Sequence, residues 1–305
     1  MKTLACLLCI AFASAGTHAR VIEEQTKLPV KVLDGYGKEV AREIVVTIWS
    51  DTDAPRPHPA LVLNHGRAVN AQGRAAVGRA KYSEVTDWLA RQGFLVAVPT
   101  RVGYGVTGGD DVEDTGDCHR KNYPPGYHAA AMQTLAVLEM LRARPDVARD
   151  RAVIMGQSFG GTTAITVAAM NPTGVQAAIN FAGGGGGNPE TRPGEPCAPA
   201  RLERMFADYG RTARVPTLWI YTENDRYMGP AYPKQWFDAF RAAGGTGEYT
   251  LFPPHGQDGH PLFTRAPAIW APRVLEFLRA NGYADLKALE FRKPRARTAA
   301  AKENP

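Results

Sequence analysis

The stretch VIMGQSFGGTTAI, residues 153–165, decides the fold. It sets Ser158 between Gly156 and Gly160, after an apolar run and ahead of a small-residue segment of helical character. Glycine is common, with 31 in 305 residues, so glycine spacing alone says little. Serine is rare: the chain has only Ser14, Ser50, Ser83 and Ser158. The accidental expectation of a serine with glycine two residues away on both sides is therefore roughly 0.04. A strand, a turn too sharp for side chains at Gly156 and Gly160, and a helix would together hold the Ser158 hydroxyl exposed at the end of a sheet. The helix start would also offer backbone N–H groups, that of Phe159 first, to negative charge developing beside Ser158.

Outward from this stretch, short apolar runs alternate with helical patterns between about residues 43 and 282. EIVVTIWS (43–50), ALVLNHG (60–66), FLVAVPT (94–100), RAVIMGQ (151–157), VQAAINFAG, TLWIYTEND (217–225) and GEYTLFPP read as strands. KYSEVTDWLARQG, HAAAMQTLAVLEMLRARP, the segment from Gly160 to about Met170, YPKQWFDAFRAAGG and APAIWAPRVLEFLRANG read as helices. Continuous apolar strands separated by helices predict an α/β fold, with a mostly parallel central sheet covered by helices on both faces. Such sheets bind ligands beyond the carboxyl ends of their strands, so the residues just after each strand become the candidates.

After the strand at 217–225 stand Glu223 and Asp225, and the turn-like END favours Asp225 as an acid. After the last strand come His255 and His260 in LFPPHGQDGHPLF. An imidazole serving as base needs a loop, which favours His260 and leaves His255 as a substrate-lining or solvated histidine. An earlier strand end, LVLNHGRAVN, brings the Arg67 N–H as a second oxyanion donor opposite Phe159. Ser158, Asp225 and His260 then follow one another in the order nucleophile, acid, base.

That order, together with LNHGR (63–67), VPTRVGYGVTGG (98–109), GQSFGGTTA (156–164), YTENDRYMGP (221–230) and DGHPLF (258–263), resembles the α/β-hydrolase superfamily. It is most similar to the dienelactone-hydrolase-like and prolyl-oligopeptidase-like serine hydrolases. The resemblance implies a cofactor-independent Ser-Asp-His hydrolase of a small-molecule ester, lactone, thioester or peptide, with Tyr104 in RVGYG as a substrate contact. Peptidase or acyltransferase activity, or a non-catalytic binding role, are the alternatives on the same fold. Dienelactone hydrolases proper carry a cysteine nucleophile where this chain has Ser158. Prolyl oligopeptidases carry a β-propeller for which this chain has no room.

The ends of the chain read differently. MKTLACLLCIAFASAGTHA (1–19) has a basic Lys2, an apolar run and small residues suited to cleavage after Ala15 or Ala19, the pattern of an export signal. Its apolar run is too short for stable membrane insertion, which predicts a periplasmic or secreted protein. The hydrolase domain is expected over 20–285. LKALEFRKPRARTAAAKENP (286–305) carries six Lys/Arg against two Glu and is expected to be a disordered basic tail. Most of the net charge of +6 therefore lies at one end, and no nucleic-acid surface is expected. Loss of the signal removes Cys6 and Cys9, leaving Cys118 and Cys197 for one disulfide in an oxidising compartment. His119 beside Cys118 lacks partners at ligand spacing, so no metal site is expected. The run Gly183–Gly187, with no G-K-[ST] sequel, is expected to be a mobile loop at the pocket. Oligomeric state is not set by any of these features.

Overall fold

The computed structural model describes residues 21–291. The expected signal peptide at 1–19 and the tail beyond 291 lie outside the described residues. Eight strands form one sheet in the order β1-β2-β4-β3-β5-β6-β7-β8. They are β1 (Val21–Leu33), β2 (Glu39–Asp51), β3 (His58–Asn64), β4 (Leu95–Thr100), β5 (Val147–Gln157), β6 (Val175–Phe181), β7 (Thr217–Thr222) and β8 (Gly247–Phe252). β1 pairs antiparallel with β2, and β2 antiparallel with β4; every pairing from β4 onward is parallel. The helices are α1 (Ala71–Ala75), α2 (Ser83–Arg91), α3 (Tyr123–Arg142), α4 (Phe159–Ala169), α5 (Pro199–Thr212), α6 (Ala231–Ala242), α7 (Leu262–Arg265) and α8 (Pro267–Ala280).

The period-2 alternation of each strand divides the core between two faces. Leu61, Leu63, Val96, Val98, Val153 and Met155 point to the side covered by α2 and α8. Their neighbours Ala60, Val62, Leu95, Ala97, Ala152 and Ile154 point to the side covered by α3 and α4. Because both faces are buried, these strands read in sequence as unbroken apolar runs. A third apolar cluster, centred on Trp219, Phe206, Trp236 and Phe240, packs α5 and α6 beside β7. The registers set Asn64 beside Gly156, Gln157 beside Phe181 and Thr222 beside Phe252. The carboxyl ends of β3, β5, β6, β7 and β8 thus share one edge of the sheet.

Two expectations need correction. The sheet begins at Val21 rather than near residue 43, because β1 is an edge strand whose outward residues are charged or polar and which carries no apolar run. The tail does not begin at Leu286: Leu286 is buried, and the Leu289 carbonyl accepts the Trp88 indole N–H at 2.8 Å. Phe291 stacks on Trp88 with ring centres 5.0 Å apart. The apolar residues of LKALEF close the face covered by α2 and α8, and the composition of the longer basic segment masks them.

Candidate active site

Ser158 occupies the turn between β5 and α4 with φ 56° and ψ −123°, a conformation that L-residues rarely hold. Its N–H donates to the Phe181 carbonyl at 2.8 Å, and its own carbonyl accepts the Gly161 N–H at 2.8 Å. Both flanking glycines are sterically required. A Cβ on Gly156 would overlap the Gly160 carbonyl, and a Cβ on Gly160 would overlap that of Asn64. The loop after β3 crosses directly over the turn, so that a Cβ on Gly66 would lie 3.2 Å from Ser158 Cβ and 3.8 Å from its Oγ. Among the described residues neither the Phe159 nor the Arg67 backbone N–H donates to a protein acceptor.

Asp225, buried in the turn after β7, accepts the Tyr227 and Met228 N–H groups on Oδ1 at 2.8 and 3.0 Å. Its Oδ2 takes the His260 Nδ1–H at 2.9 Å. That bond fixes the neutral imidazole with Nε2 as its open acceptor. His260 is held from three further directions: its N–H donates to Asp258, its carbonyl accepts the Gln157 side chain, and the Tyr227 ring stacks on it at 4.1 Å. Among the described residues, Ser158 Oγ makes no hydrogen bond to His260, but both line one cavity of about 330 Å³. Hydrogen bonds between catalytic groups are often long in the absence of substrate.

A second cavity of about 470 Å³ meets the first at Ser158. Its far wall is made by the loop after β4 and the loop after β6, which the Cys118–Cys197 disulfide joins with Cα atoms 5.0 Å apart. The glycine run lines this cavity, but it is pinned and not free. Tyr127 and Tyr123 donate to the Gly184 and Gly185 carbonyls at 2.8 and 3.1 Å, and a Cβ on Gly185 would lie 2.5 Å from the Tyr127 hydroxyl oxygen. Gly184 to Gly187 pack closely against Trp236, Tyr127, Tyr123 and Tyr227, and Gly183 against the Asn180 amide, a close packing that composition did not distinguish from mobility.

Tyr104 and His255 stand apart from both cavities. Tyr104 is fully buried, donates to Glu113 at 2.6 Å and accepts from Arg67 at 3.3 Å. It contacts the residues behind the site and not the space a substrate would occupy. His255 is half-buried, and Asn224 caps its backbone. What sequence reading missed is the polar group beneath the Gly66 loop. Arg101 and Glu113 form an ion pair with both side chains wholly buried, and Arg101 also donates to the His65 carbonyl at 2.9 Å. Asp111 binds the Arg67 guanidinium through both oxygens, at 2.7 and 2.6 Å, and Arg74 at 2.8 Å. Burial pushes the Asp111 carboxyl up, but the Arg67 hydrogen bond and the two guanidinium charges outweigh it and hold the carboxyl below its ordinary range. The signal was present in RVGYG and GDDVED, a cation and acids bracketing a Gly-rich turn, but nothing in the spacing says that they fold inward.

The model of the dienelactone hydrolase family matches residues 71–258, more than half of the chain. The chain belongs to the dienelactone hydrolase family. No curated protein gives a significant match. Among solved structures, a protein assigned as a dienelactone hydrolase from Klebsiella pneumoniae is 20% identical with a TM-score of 0.54, over 87% of this chain and 99% of that one. An acetyl xylan esterase from Paenibacillus sp. R4 is 16% identical with a TM-score of 0.55, over 87% and 89%. Pyrococcus horikoshii acylaminoacyl peptidase is 15% identical with a TM-score of 0.57, over 92% of this chain but 44% of that one. These likenesses establish a shared α/β-hydrolase fold, and family membership makes the chain a hydrolase. Within the family, this chain carries serine at the turn that closes β5.

Proposed function

We propose that the protein is an exported serine hydrolase that cleaves carboxylic esters through Ser158, His260 and Asp225. The observation that carries this reading is the Asp225–His260 hydrogen bond of 2.9 Å, with His260 sharing a cavity with a strained, glycine-flanked Ser158. His260 Nε2 takes the Ser158 proton as Oγ attacks the ester carbonyl carbon, and Asp225 stabilises the imidazolium through Nδ1. The Phe159 and Arg67 N–H groups bind the oxyanion, each worth about 3 kcal/mol in transition-state stabilisation. His260 then returns the proton to the leaving alcohol, and water, activated by the same imidazole, releases the acyl group from Ser158. The apolar, small-residue N-terminus and the disulfide between two surface loops support export to an oxidising compartment.

The test is steady-state hydrolysis of a 4-nitrophenyl ester series by the mature protein. Ser158→Ala is expected to lower kcat by about 10⁴-fold with little change in thermal stability. Turnover within a factor of about ten of wild type in that variant would rule the assignment out.

A further inference from the structure

The two cavities that meet at Ser158 differ in chemistry, and the difference has a direction. His260 lines the smaller cavity and not the larger. Since the imidazole must protonate the leaving alcohol, the alcohol half of a substrate lies on the smaller side and the acyl half extends into the larger. This orientation rests on the serine-hydrolase reading above.

The larger cavity is lined by four cations, Arg67, Arg74, Lys121 and Arg192, against two carboxylates, Asp111 and Asp114. Arg67 and Arg74 share Asp111. Lys121 donates to the Thr115 hydroxyl at 3.1 Å and to the Gly116 carbonyl, with Asp114 nearby. Arg192 has no carboxylate partner among the described residues. Its guanidinium is laid across the disulfide, donating to Cys118 Sγ at 2.7 Å, Cys197 Sγ at 2.8 Å and the Gly186 carbonyl at 3.2 Å. Disulfide sulfurs are weak acceptors and neutralise none of its charge. Burial disfavours the Lys121 cation, and the nearby charges divide, with Asp114 and Asp117 favouring it while Arg67 and Arg192 oppose it. Arg192 reaches the cavity with its charge uncompensated and close to Lys121, and an anion between the two would be held by both. The smaller cavity is also lined by cations, but Arg67 and Arg79 are each paired with a carboxylate, Asp111 and Glu23, and Lys81 is exposed to the screening of solvent.

We infer that the enzyme is selective for esters whose acyl half carries an anionic group, bound between Arg192 and Lys121 on the wall closed by the disulfide. Two charge-assisted hydrogen bonds set the expected preference at about 10- to 100-fold in kcat/KM over a neutral isostere.

The test compares mono-4-nitrophenyl adipate with 4-nitrophenyl hexanoate, in which a methyl replaces the carboxylate, using the mature protein. A phosphonate in place of the carboxylate separates preference for a monoanion from preference for a dianion at the same site, and either preference over hexanoate supports the inference. Preference for the adipate ester is expected to fall about tenfold in Arg192→Gln and in Lys121→Gln. It should persist in Arg192→Lys and in Arg204→Gln, a control on the exposed side of α5, and decline in about 0.5 M salt. Equal or faster turnover of hexanoate would overturn the inference while leaving the serine-hydrolase reading intact. So would a stronger preference for 3-carboxy-4-nitrophenyl hexanoate, which carries its charge on the alcohol half. Failure to turn over any of these esters, with no fluorophosphonate labelling of Ser158, would remove both.

Discussion

His65 sits under the loop that crosses Ser158, and its two ring nitrogens have partners of fixed polarity. Nδ1–H donates to the Gly66 carbonyl at 2.7 Å, and Nε2 accepts the Arg101 N–H at 3.2 Å. Burial, with the Arg101 charge added, holds this imidazole well below its ordinary range, although the Gly66 carbonyl opposes the shift. The folded protein therefore binds no proton here where the unfolded chain does. That stability is present above the unfolded imidazole pKa of about 6.5 and is lost as pH falls below it. The slope approaches 1.4 kcal/mol per pH unit at its steepest, about the full effect of one proton. Urea unfolding of wild type and His65→Asn between pH 7.5 and 5 measures it, and the variant is expected to lose the acid-side slope that His65 contributes. Identical slopes in the two proteins would show that His65 titrates normally in the fold. The candidate residues legible in sequence were those tied to strand ends: Ser158 directly follows β5, Asp225 lies in the turn after β7, and His260 lies on the loop after β8. Arg101 and Glu113 were not legible, because a buried ion pair is defined by tertiary closure and its residues look like ordinary loop charges.

Among the elements, the loops after β4 and β6 supply most of the larger cavity, and neither contains a helix or strand longer than a turn before α3 and α5 begin. What fixes them is cross-loop bonding: the disulfide, the Tyr123 hydroxyl between the Gly185 and Cys197 carbonyls, and Arg192 across both sulfurs. The cysteines are 79 residues apart in sequence, so closing that loop restricts the unfolded chain substantially. Reduction, or Cys118→Ser with Cys197→Ser, is expected to cost about 2–4 kcal/mol in unfolding free energy. Denatured, non-reduced mature protein should show no free thiol; two titratable thiols per chain would contradict the bridge. Strands β2 to β7 were readable because burial on both faces makes them largely continuous apolar runs, and β8, a half-exposed edge strand, was readable from its aromatic and β-branched residues Tyr249, Thr250 and Phe252. β1 was not, since an edge strand paired on one side needs no such run, and the Gly183–Gly187 segment gave composition without the aromatic partners that hold it.

At the scale of the whole molecule, the sheet brings a strained serine, an aspartate–histidine pair and two open backbone donors to one edge, at the junction of two cavities. The fold class follows from apolar periodicity alone. The limits of the domain do not, because the Leu286–Phe291 segment docks through three apolar residues set among basic ones. The central claim is that Ser158 is a nucleophile activated by His260. The most direct measurement is labelling of the purified mature protein with a fluorophosphonate probe, with the adduct located by peptide mass spectrometry. Stoichiometric labelling at Ser158 is expected in wild type, none in Ser158→Ala, and a rate reduced by at least about 10³-fold in His260→Ala. A folded wild-type protein that takes up no probe at Ser158, or labels equally fast without His260, would contradict the account.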